Sequence, residues 1–404
     1  MVLLWRRSLA AQPPLVDEKS ASNYRKNSSR PDTETEWMVG QLNHLTLEQE
    51  SKFLKFQDQC KEYGYSKSQD EDQFVEYERA TLLRFLRAQK FDIEKALQQL
   101  RDAYKWQTEH DIKSFYQSMD VELYESSRQM FSQWTGRRDT QGLPLYVFPL
   151  KNLTKETMEA YVSKMSPFSK TSSWSSEPTS GHLIAFHALY ENMLDFVMPF
   201  CDRLERPHME VPVTASTHII DLDGVTLRQF LDIKRYLQGA SLLATKHYPE
   251  TLGHIFVSPL DDNVRSFLRP VLGNGPDLNK ILGAPPIFRT AWEIVKNWVD
   301  PGTLSKISIL SPSESRQTLL NYIEPSSLPE QYGGTLNWKW GDMPNLDDAG
   351  RSLTPSLYQN NGSGHDQFIK GPMIFKQDAI EGLGTIEGKK RRVVIPVNGL
   401  RVRA

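Results

Sequence analysis

The sequence has few cysteines, almost no net charge and no long apolar run. Its 404 residues include two cysteines, Cys60 and Cys201, too few for a disulfide framework or a cysteine-rich zinc site, and this fits a reducing compartment. The 48 basic and 50 acidic residues leave a formal net charge of −2, so we do not expect a nucleic-acid partner. No apolar run approaches the ~20 residues of a transmembrane helix. We therefore expect no membrane-spanning segment.

Sequence motifs of common catalytic and cofactor sites are also lacking. No glycine-rich phosphate loop, no G-x-G-x-x-G after a strand and no G-x-S-x-G nucleophile elbow occurs. The nine histidines are scattered, without H-E-x-x-H or paired C-x-x-C spacing. We therefore expect no metal and no cofactor, and an α/β-hydrolase is disfavoured. An α/β enzyme whose site is assembled from distant residues is the alternative.

The pattern of apolar residues predicts a helical region followed by an α/β region. Thr46 and Gln49 have the spacing of a capping box, and Asp92 is placed to cap a later helix. After residue 142, short runs typical of strands alternate with amphipathic runs typical of helices, which favours crossover connections and a mostly parallel sheet. The predicted strands are residues 143–150, 217–222, 255–257 and 306–310, and the predicted helices are 183–201, 227–248, 288–299 and 317–323.

Composition divides the chain into four parts. Residues 1–40 are polar and aperiodic and are predicted to be a disordered tail, 41–118 a helical subdomain, and 119–346 the α/β domain. Residues 347–404 form an extension that is rich in Gly and Asn and carries the basic cluster KKRR at 389–392. We interpret this cluster as a solvated tail, with an anionic membrane surface or a nuclear-import signal as the alternatives.

Four motifs, in order and in register, carry a family resemblance. They are LLRFLRAQKFD (82–92), HYPETLG (247–253), SKISILSP (305–312) and SLPEQYGG (327–334). Over about residues 42–346 the chain resembles the CRAL-TRIO family, and most of all its phosphatidylinositol transfer proteins. The resemblance implies an N-terminal helical subdomain packed on an α/β domain, whose mostly parallel sheet floors a deep apolar pocket. It also implies a non-enzymatic activity, which is the extraction of one phospholipid from a membrane and its exchange for another.

The resemblance also implies functional residues. Thr303 and Lys306 match the family's inositol-phosphate site, where a hydroxyl and a cation suit a phosphate. The other implied head-group residues are Glu250, Lys90 and Pro144, although Gln89 replaces an Arg beside Lys90. The second lipid site is matched by Ser216 and Tyr146, whereas His218 stands in place of a Thr; residues 216 and 218 of a strand share a face. The implied gating helix is residues 288–299, with Phe288, Ala291, Trp292, Val295 and Trp298 on its apolar side.

The segment at residues 257–282 departs from the family pattern, which has only a few residues there. We interpret it either as a surface loop at the gate hinge or as a retained intron, because its opening Val-Ser-Pro could encode a splice signal. The resemblance implies a cytoplasmic monomer that binds phospholipid and contacts membranes transiently. The alternatives are a lipid-sensing module that presents its ligand to a partner, and a carrier of sterol or another small apolar ligand.

Overall fold

The computed structural model describes residues 36–65, 75–171, 178–258, 301–310, 312–360, 366–376 and 378–398. The chain divides into two compact units. The first consists of Met1–Leu97 with Glu210–Pro212, and the second of Gln98–Met209 with Val213–Ala404. Within the described ranges, no helix is long and apolar enough to cross a bilayer.

The first unit is helical. Its elements are α1 (Leu47–Glu62), α2 (Val75–Ala88) and the first turn of α3 (Ile93–Glu109). The predicted capping box is confirmed, because Thr46 Oγ1 accepts the Gln49 amide at 3.2 Å and the Gln49 side chain accepts the Thr46 amide at 3.0 Å. Asp92 also acts as predicted, since its carboxylate accepts the Lys95 amide at 3.1 Å. Of the predicted tail, residues 1–35 lie outside the described residues, and Glu36–Met38 form a 3₁₀ turn in which Met38 is buried.

The second unit begins with helices and then alternates strands with helices. Its elements up to the last strand of the main sheet are α4 (Ile112–Ser118), α5 (Val121–Arg128), β1 (Gln133–Arg138), β2 (Pro144–Pro149), α6 (Lys155–Met165), α7 (Gly181–Asn192), α8 (Met198–Arg203), β3 (Ser216–Asp221), α9 (Leu227–His247), β4 (Leu252–Ser258), α10 (Pro301–Leu304) and β5 (Ile307–Ile309). The helix predicted at 183–201 is present but contains a π-helical segment, Met193–Val197, between α7 and α8.

The main sheet has the strand order β1-β2-β3-β4-β5. Strands β2 to β5 are parallel, as the alternation of strands and helices predicted, whereas β1 pairs antiparallel with β2 and was not predicted. Successive residues of a strand point to opposite faces. One face carries Leu145, Val147, Ile219 and Phe256, which pack against Leu319.

The other face of the main sheet is covered by helices. Phe148 and Ile220 pack there with Tyr161 of α6, Ala185 of α7 and Ile233 of α9. Since both faces are packed, the parallel strands are buried, which is the arrangement typical of α/β folds.

The chain after β5 ends in short strands. The remaining elements are α11 (Pro312–Leu320), α12 (Asp348–Leu353), β6 (Tyr358–Asn360), β7 (Asp366–Phe368), β8 (Met373–Phe375), β9 (Ala379–Gly382), β10 (Thr385–Ile386), β11 (Lys389–Lys390) and β12 (Val393–Pro396). They pair as a sheet of order β12-β9-β8 and two smaller pairs, β6-β7 and β10-β11. Ile380 and Ile395 are buried, so this region is folded and is not the tail that was predicted, although Lys389, Lys390 and Arg392 are solvent-exposed.

Candidate functional site

The first predicted site lies at the edge where the parallel strands begin. Strands that run parallel start at the same edge of a sheet, so the residues just before β4 and β5 are neighbours although they are distant in sequence. Glu250 lies two residues before β4, and Lys306 immediately precedes β5. The Lys306 amide donates to the Thr303 carbonyl at 3.1 Å, which places Thr303 one turn before the strand.

An ion pair joins two of the predicted head-group residues. Lys306 Nζ lies 3.0 Å from Glu250 Oε2, and the two side chains are 22% and 14% exposed. Glu250 has a φ of 57°, in the left-handed region that few non-glycine residues adopt. A partly buried cation, a carboxylate and a nearby hydroxyl can together bind a phosphate and the hydroxyl groups of its sugar. A backbone held in a rare conformation is a feature often found at functional sites.

His254 and Pro144 lie at the same edge of the sheet. The pKa of His254 is lowered first by burial and then by the positive charge of Lys306, and its Nε2 lies 3.3 Å from Gln141 Oε1. Pro144 is the buried first residue of β2. Lys90 lies in the other unit, exposed in the turn between α2 and α3, with a φ of 52°. The structure therefore pairs Lys306 with Glu250 and places Thr303 one turn before Lys306, whereas Lys90 belongs to the other unit.

The second predicted site lies on the helix-covered face of the sheet. Trp134, Tyr146 and His218 are neighbours in the strand register and form a row across β1, β2 and β3. The rings of Tyr146 and His218 stack with centroids 5.0 Å apart. Ser216 Oγ lies 2.8 Å from His218 Nε2, which confirms that residues 216 and 218 share a face. On the other side of the ring, Ser132 Oγ lies 3.1 Å from His218 Nδ1.

His218 is neutral in this arrangement. Burial lowers its pKa to about 3, so near neutral pH one ring nitrogen donates and the other accepts a hydrogen bond. The two serine hydroxyls supply the matching partners. Ser132 and Trp134 were not predicted as site residues, because β1 lacks the alternation of apolar and polar residues that identifies a strand from sequence.

A cavity of about 50 Å³ lies beside Tyr146. Its walls come from α5, β1, β2, α7, the π-helical segment and the C-terminal extension, and include Glu125, Arg128, Ser132, Trp134, Asn192, Phe196, Phe368, Gly371 and Met373. The residues predicted for the gating helix, Phe288, Ala291, Trp292, Val295 and Trp298, lie outside the described residues, as does 259–282 of the predicted insertion.

Comparison with known protein families gives two matches. The family model for the CRAL/TRIO domain matches residues 128–259 and 280–334, and that for the CRAL/TRIO N-terminal domain matches residues 52–102. Together they cover more than half of the chain. The CRAL/TRIO model leaves residues 260–279 unmatched, in the middle of the segment that departs from the pattern of the family.

Similar proteins occur in fungi and plants. The SEC14 cytosolic factor of Kluyveromyces lactis is 25% identical over 297 residues, which cover 74% of this chain and 81% of that protein. The phosphatidylinositol/phosphatidylcholine transfer protein SFH9 of Arabidopsis thaliana is 27% identical over 256 residues, which cover 63% of this chain and 36% of that protein.

One solved structure, the crystal structure of Sfh5, aligns with a TM-score of 0.45 and 17% identity, covering 72% of this chain and 92% of that chain. The two family models match in the order that the four motifs predicted, one over the N-terminal helices and the other over the α/β region. The chain belongs to the CRAL/TRIO family.

Proposed function

We propose that this protein is a phosphatidylinositol carrier, which extracts one lipid molecule from a membrane and exchanges it for another without chemical turnover. The observation that carries the proposal is the ion pair between Lys306 and Glu250 beside Thr303. The names of the relatives support it, because they include a phosphatidylinositol/phosphatidylcholine transfer protein. In this proposal the carrier acts as a cytoplasmic monomer at membrane surfaces, and it needs no nucleic acid, metal or cofactor.

The energetic task of such a carrier is to shield acyl chains from water. A phospholipid exposes on the order of 30 CH₂ groups, and each gains ~0.8 kcal/mol on leaving water. An apolar interior closed by a movable element keeps the acyl chains out of water during transit, and so avoids most of that free-energy cost. The apolar residues at 288–299 are proposed to form the closing element. The phosphate needs a cation at the rim, and Lys306 is placed to supply it. Glu250 then accepts hydrogen bonds from inositol hydroxyls.

The proposed function is tested by identifying the lipid that copurifies with the protein. Mass spectrometry of protein purified from cells is expected to detect phosphatidylinositol in an amount comparable to the protein. Transfer of labelled phosphatidylinositol between donor and acceptor liposomes is expected to depend on protein concentration. Absence of both bound phospholipid and transfer would rule the proposal out.

Replacing Lys306 with alanine is expected to reduce phosphatidylinositol transfer by about tenfold, because a charge-assisted hydrogen bond to phosphate is lost. Transfer of phosphatidylcholine is expected to change much less, since the residues around Tyr146 and His218 are untouched. Lys306→Arg keeps the charge and is expected to retain part of the activity. The measurement is liposome transfer with each labelled lipid in parallel.

The matched control for Lys306→Ala is Lys339→Ala, which removes an exposed lysine of the same unit. It is expected to transfer both lipids as the wild type does. An equal loss for both lipids in Lys306→Ala, with normal circular dichroism, would contradict the assignment of Lys306 to the head group.

We also propose that the hairpin β10–β11 contacts anionic membranes. Lys389 lies opposite Ile386 in the hairpin register, and Ile386 is 51% exposed. Val394 of the following strand is 69% exposed, and Lys389 and Lys390 are exposed as well. Exposed apolar side chains beside lysines suit a surface of anionic lipids. Arg391 is buried and donates to the Pro372 carbonyl at 2.6 Å, so the four basic residues are not displayed as one continuous import signal.

The double substitution Lys389→Gln/Lys390→Gln is expected to weaken binding to phosphatidylserine vesicles by about 30-fold, because each lysine near such a surface contributes ~1 kcal/mol. The measurement is vesicle cosedimentation at low and high salt. The control Lys55→Gln/Lys61→Gln removes two exposed lysines of α1 and is expected to bind like the wild type. Equal binding by the hairpin variant and the wild type would exclude this surface.

A further inference from the structure

The C-terminal extension places one segment directly against the lipid-binding unit. We call residues 366–376 the strap. The strap lies beyond residue 334, where the match to the CRAL/TRIO model ends. Three of its apolar side chains are almost fully buried, with Phe368 5%, Met373 1% and Phe375 4% exposed. Phe375 packs near Phe200 of α8, with ring centroids 6.4 Å apart.

Tyr116 of α4 binds the strap backbone at Met373. The Tyr116 hydroxyl donates to the Met373 carbonyl and accepts the Met373 amide at 3.0 Å. Asn192 at the end of α7 also donates to the same hydroxyl, at 3.0 Å. One buried side chain thus satisfies both backbone groups of Met373, which is a specific attachment.

Charged side chains bind the neighbouring strap residues. The Gly371 amide donates to Glu125 Oε1 at 2.8 Å, and Glu125 is in turn paired with Arg128 at 2.8 Å. The guanidinium of Arg391 donates to the carbonyls of Lys370 and Pro372. The amides of Gly371 and Met373 and the carbonyls of Lys370, Pro372 and Met373 therefore bind side chains of this unit, whereas a solvated tail would bind water.

The strap forms one wall of the cavity beside Tyr146. Phe368, Gly371 and Met373 line it together with Trp134, Tyr146 and Phe196 of the sheet and the π-helical segment. The ring of Phe368 approaches that of Trp134 edge-on, with centroids 6.4 Å apart. The remaining volume, about 50 Å³, has room for only a few water molecules. An acyl chain therefore does not fit between these walls while the strap is in place.

We propose that the strap is an internal competitor of the lipid, and that Phe368 and Met373 occupy space which an acyl chain takes when the protein is loaded. This inference rests on the proposed function. Without lipid, the strap covers apolar side chains that would otherwise face water. On loading, the acyl chain buries the same surface and releases the strap from Tyr116 and Glu125. The free energy that holds the strap in place therefore opposes lipid uptake.

Hydrogen exchange of the full-length chain tests the competition directly. The amides of Gly371 and Met373 donate to Glu125 and Tyr116, so in lipid-free protein they are expected to exchange slowly. Loading from phosphatidylinositol liposomes is expected to speed exchange in peptides covering residues 366–376 by about tenfold or more. Peptides from the central strand β3 serve as the internal control and are expected to stay protected.

The outcomes separate this inference from the proposed function. Faster exchange of the strap after loading supports the competition. Unchanged or slower exchange of the strap in protein that mass spectrometry shows to be loaded overturns the inference and leaves the carrier function intact. Failure to load any phospholipid overturns the carrier function and the competition with it.

Tyr116→Phe provides a second test, because it removes only the hydroxyl that binds Met373. Strap amides are expected to exchange about tenfold faster in the lipid-free variant, and lipid uptake is expected to become faster. The matched control is Tyr161→Phe, which removes a buried hydroxyl from α6 and is expected to affect neither. Unchanged lipid uptake in a variant whose strap amides do exchange faster would contradict the competition.

Discussion

Replacing Gly334 with alanine is expected to lower the free energy of unfolding by about 3 kcal/mol or more. A Cβ atom at this position would stand 1.9 Å from the Leu328 carbonyl oxygen and 2.6 Å from its carbon. Both are backbone atoms, so no side-chain rotation relieves the clash. The Leu328 carbonyl is also bound by the Leu336 amide at 3.0 Å, so moving it would break that hydrogen bond. Chemical denaturation followed by circular dichroism measures the change.

Gly224→Ala is the control for Gly334→Ala. Gly224 has a φ of +71°, and an added Cβ would meet no heavy atom within 4 Å. Its substitution therefore adds backbone strain without a clash, and the expected loss is about 1 kcal/mol. Gly334 does not have a positive φ, so a loss no larger than that of Gly224→Ala would contradict the predicted clash. The larger loss expected at Gly334 reflects the contact with the Leu328 backbone.

The close approach at Gly334 explains why the SLPEQYGG motif is informative about the fold. Its loop brings Tyr332 to β3, where the tyrosine hydroxyl donates to Asp221 Oδ2 at 3.0 Å. The hydrogen bond at position 332 requires a tyrosine, and the lack of space at position 334 requires a glycine. A sequence pattern can capture such requirements, and the motif therefore predicts this part of the fold well.

The sequence was least informative where the structure depends on pairing between distant segments. Strand β1 carries Thr135, whose hydroxyl donates to the Leu145 carbonyl at 3.1 Å, and Gln133, which accepts the Gly341 amide at 2.9 Å. These two polar residues are buried and hydrogen-bonded, so no alternation of apolar and polar residues appears in the sequence. The short strands β8, β9 and β12 have too few residues each to show a period. Their burial depends on neighbours that the sequence does not identify.

The candidate site was predicted in part for the same reason. The family resemblance identified Thr303, Lys306 and Glu250, and the parallel sheet places them at one edge. The 3.0 Å ion pair between Lys306 and Glu250 joins positions 56 residues apart, which spacing along the chain does not reveal. The strap was not predicted, because the extension resembles a solvated tail in composition although its backbone binds Tyr116 and Glu125.

When the pH is lowered from 8 to 5, the free energy of unfolding of the wild type is expected to fall by about 2 kcal/mol more than that of His218→Thr. Burial lowers the pKa of His218 in the folded protein to about 3, whereas an unfolded histidine titrates near pH ~6.5. Between these values the unfolded chain binds a proton that the folded protein does not. The contribution of neutral His218 to stability is therefore complete above pH ~6.5 and is lost as the pH falls toward 3. Threonine does not titrate, so the variant lacks this loss.

Other buried groups titrate in the same pH range. The experiment therefore compares the wild type with the variant and does not rely on the pH dependence of the wild type alone. Burial also lowers the pKa of His187 and of His247 to about 3, which adds losses of the same sign. Burial raises the pKa of Asp139 to about 6, and that of Asp221 is raised as well; protonation of these carboxyls on acidification opposes the loss. These contributions are common to wild type and variant and cancel in the difference.

Denaturation of both proteins at pH 8 supplies the control, because His218 is neutral there in both the folded and unfolded chains. The difference in stability at pH 8 is the packing cost of the substitution, and its change at pH 5 is the proton linkage of His218 alone. A difference that stays constant with pH would mean that His218 takes up a proton over the same pH range in the folded and the unfolded protein. It would then bring a positive charge beside Tyr146 and the strap, and this part of the interior would not be the uncharged surface that an acyl chain requires.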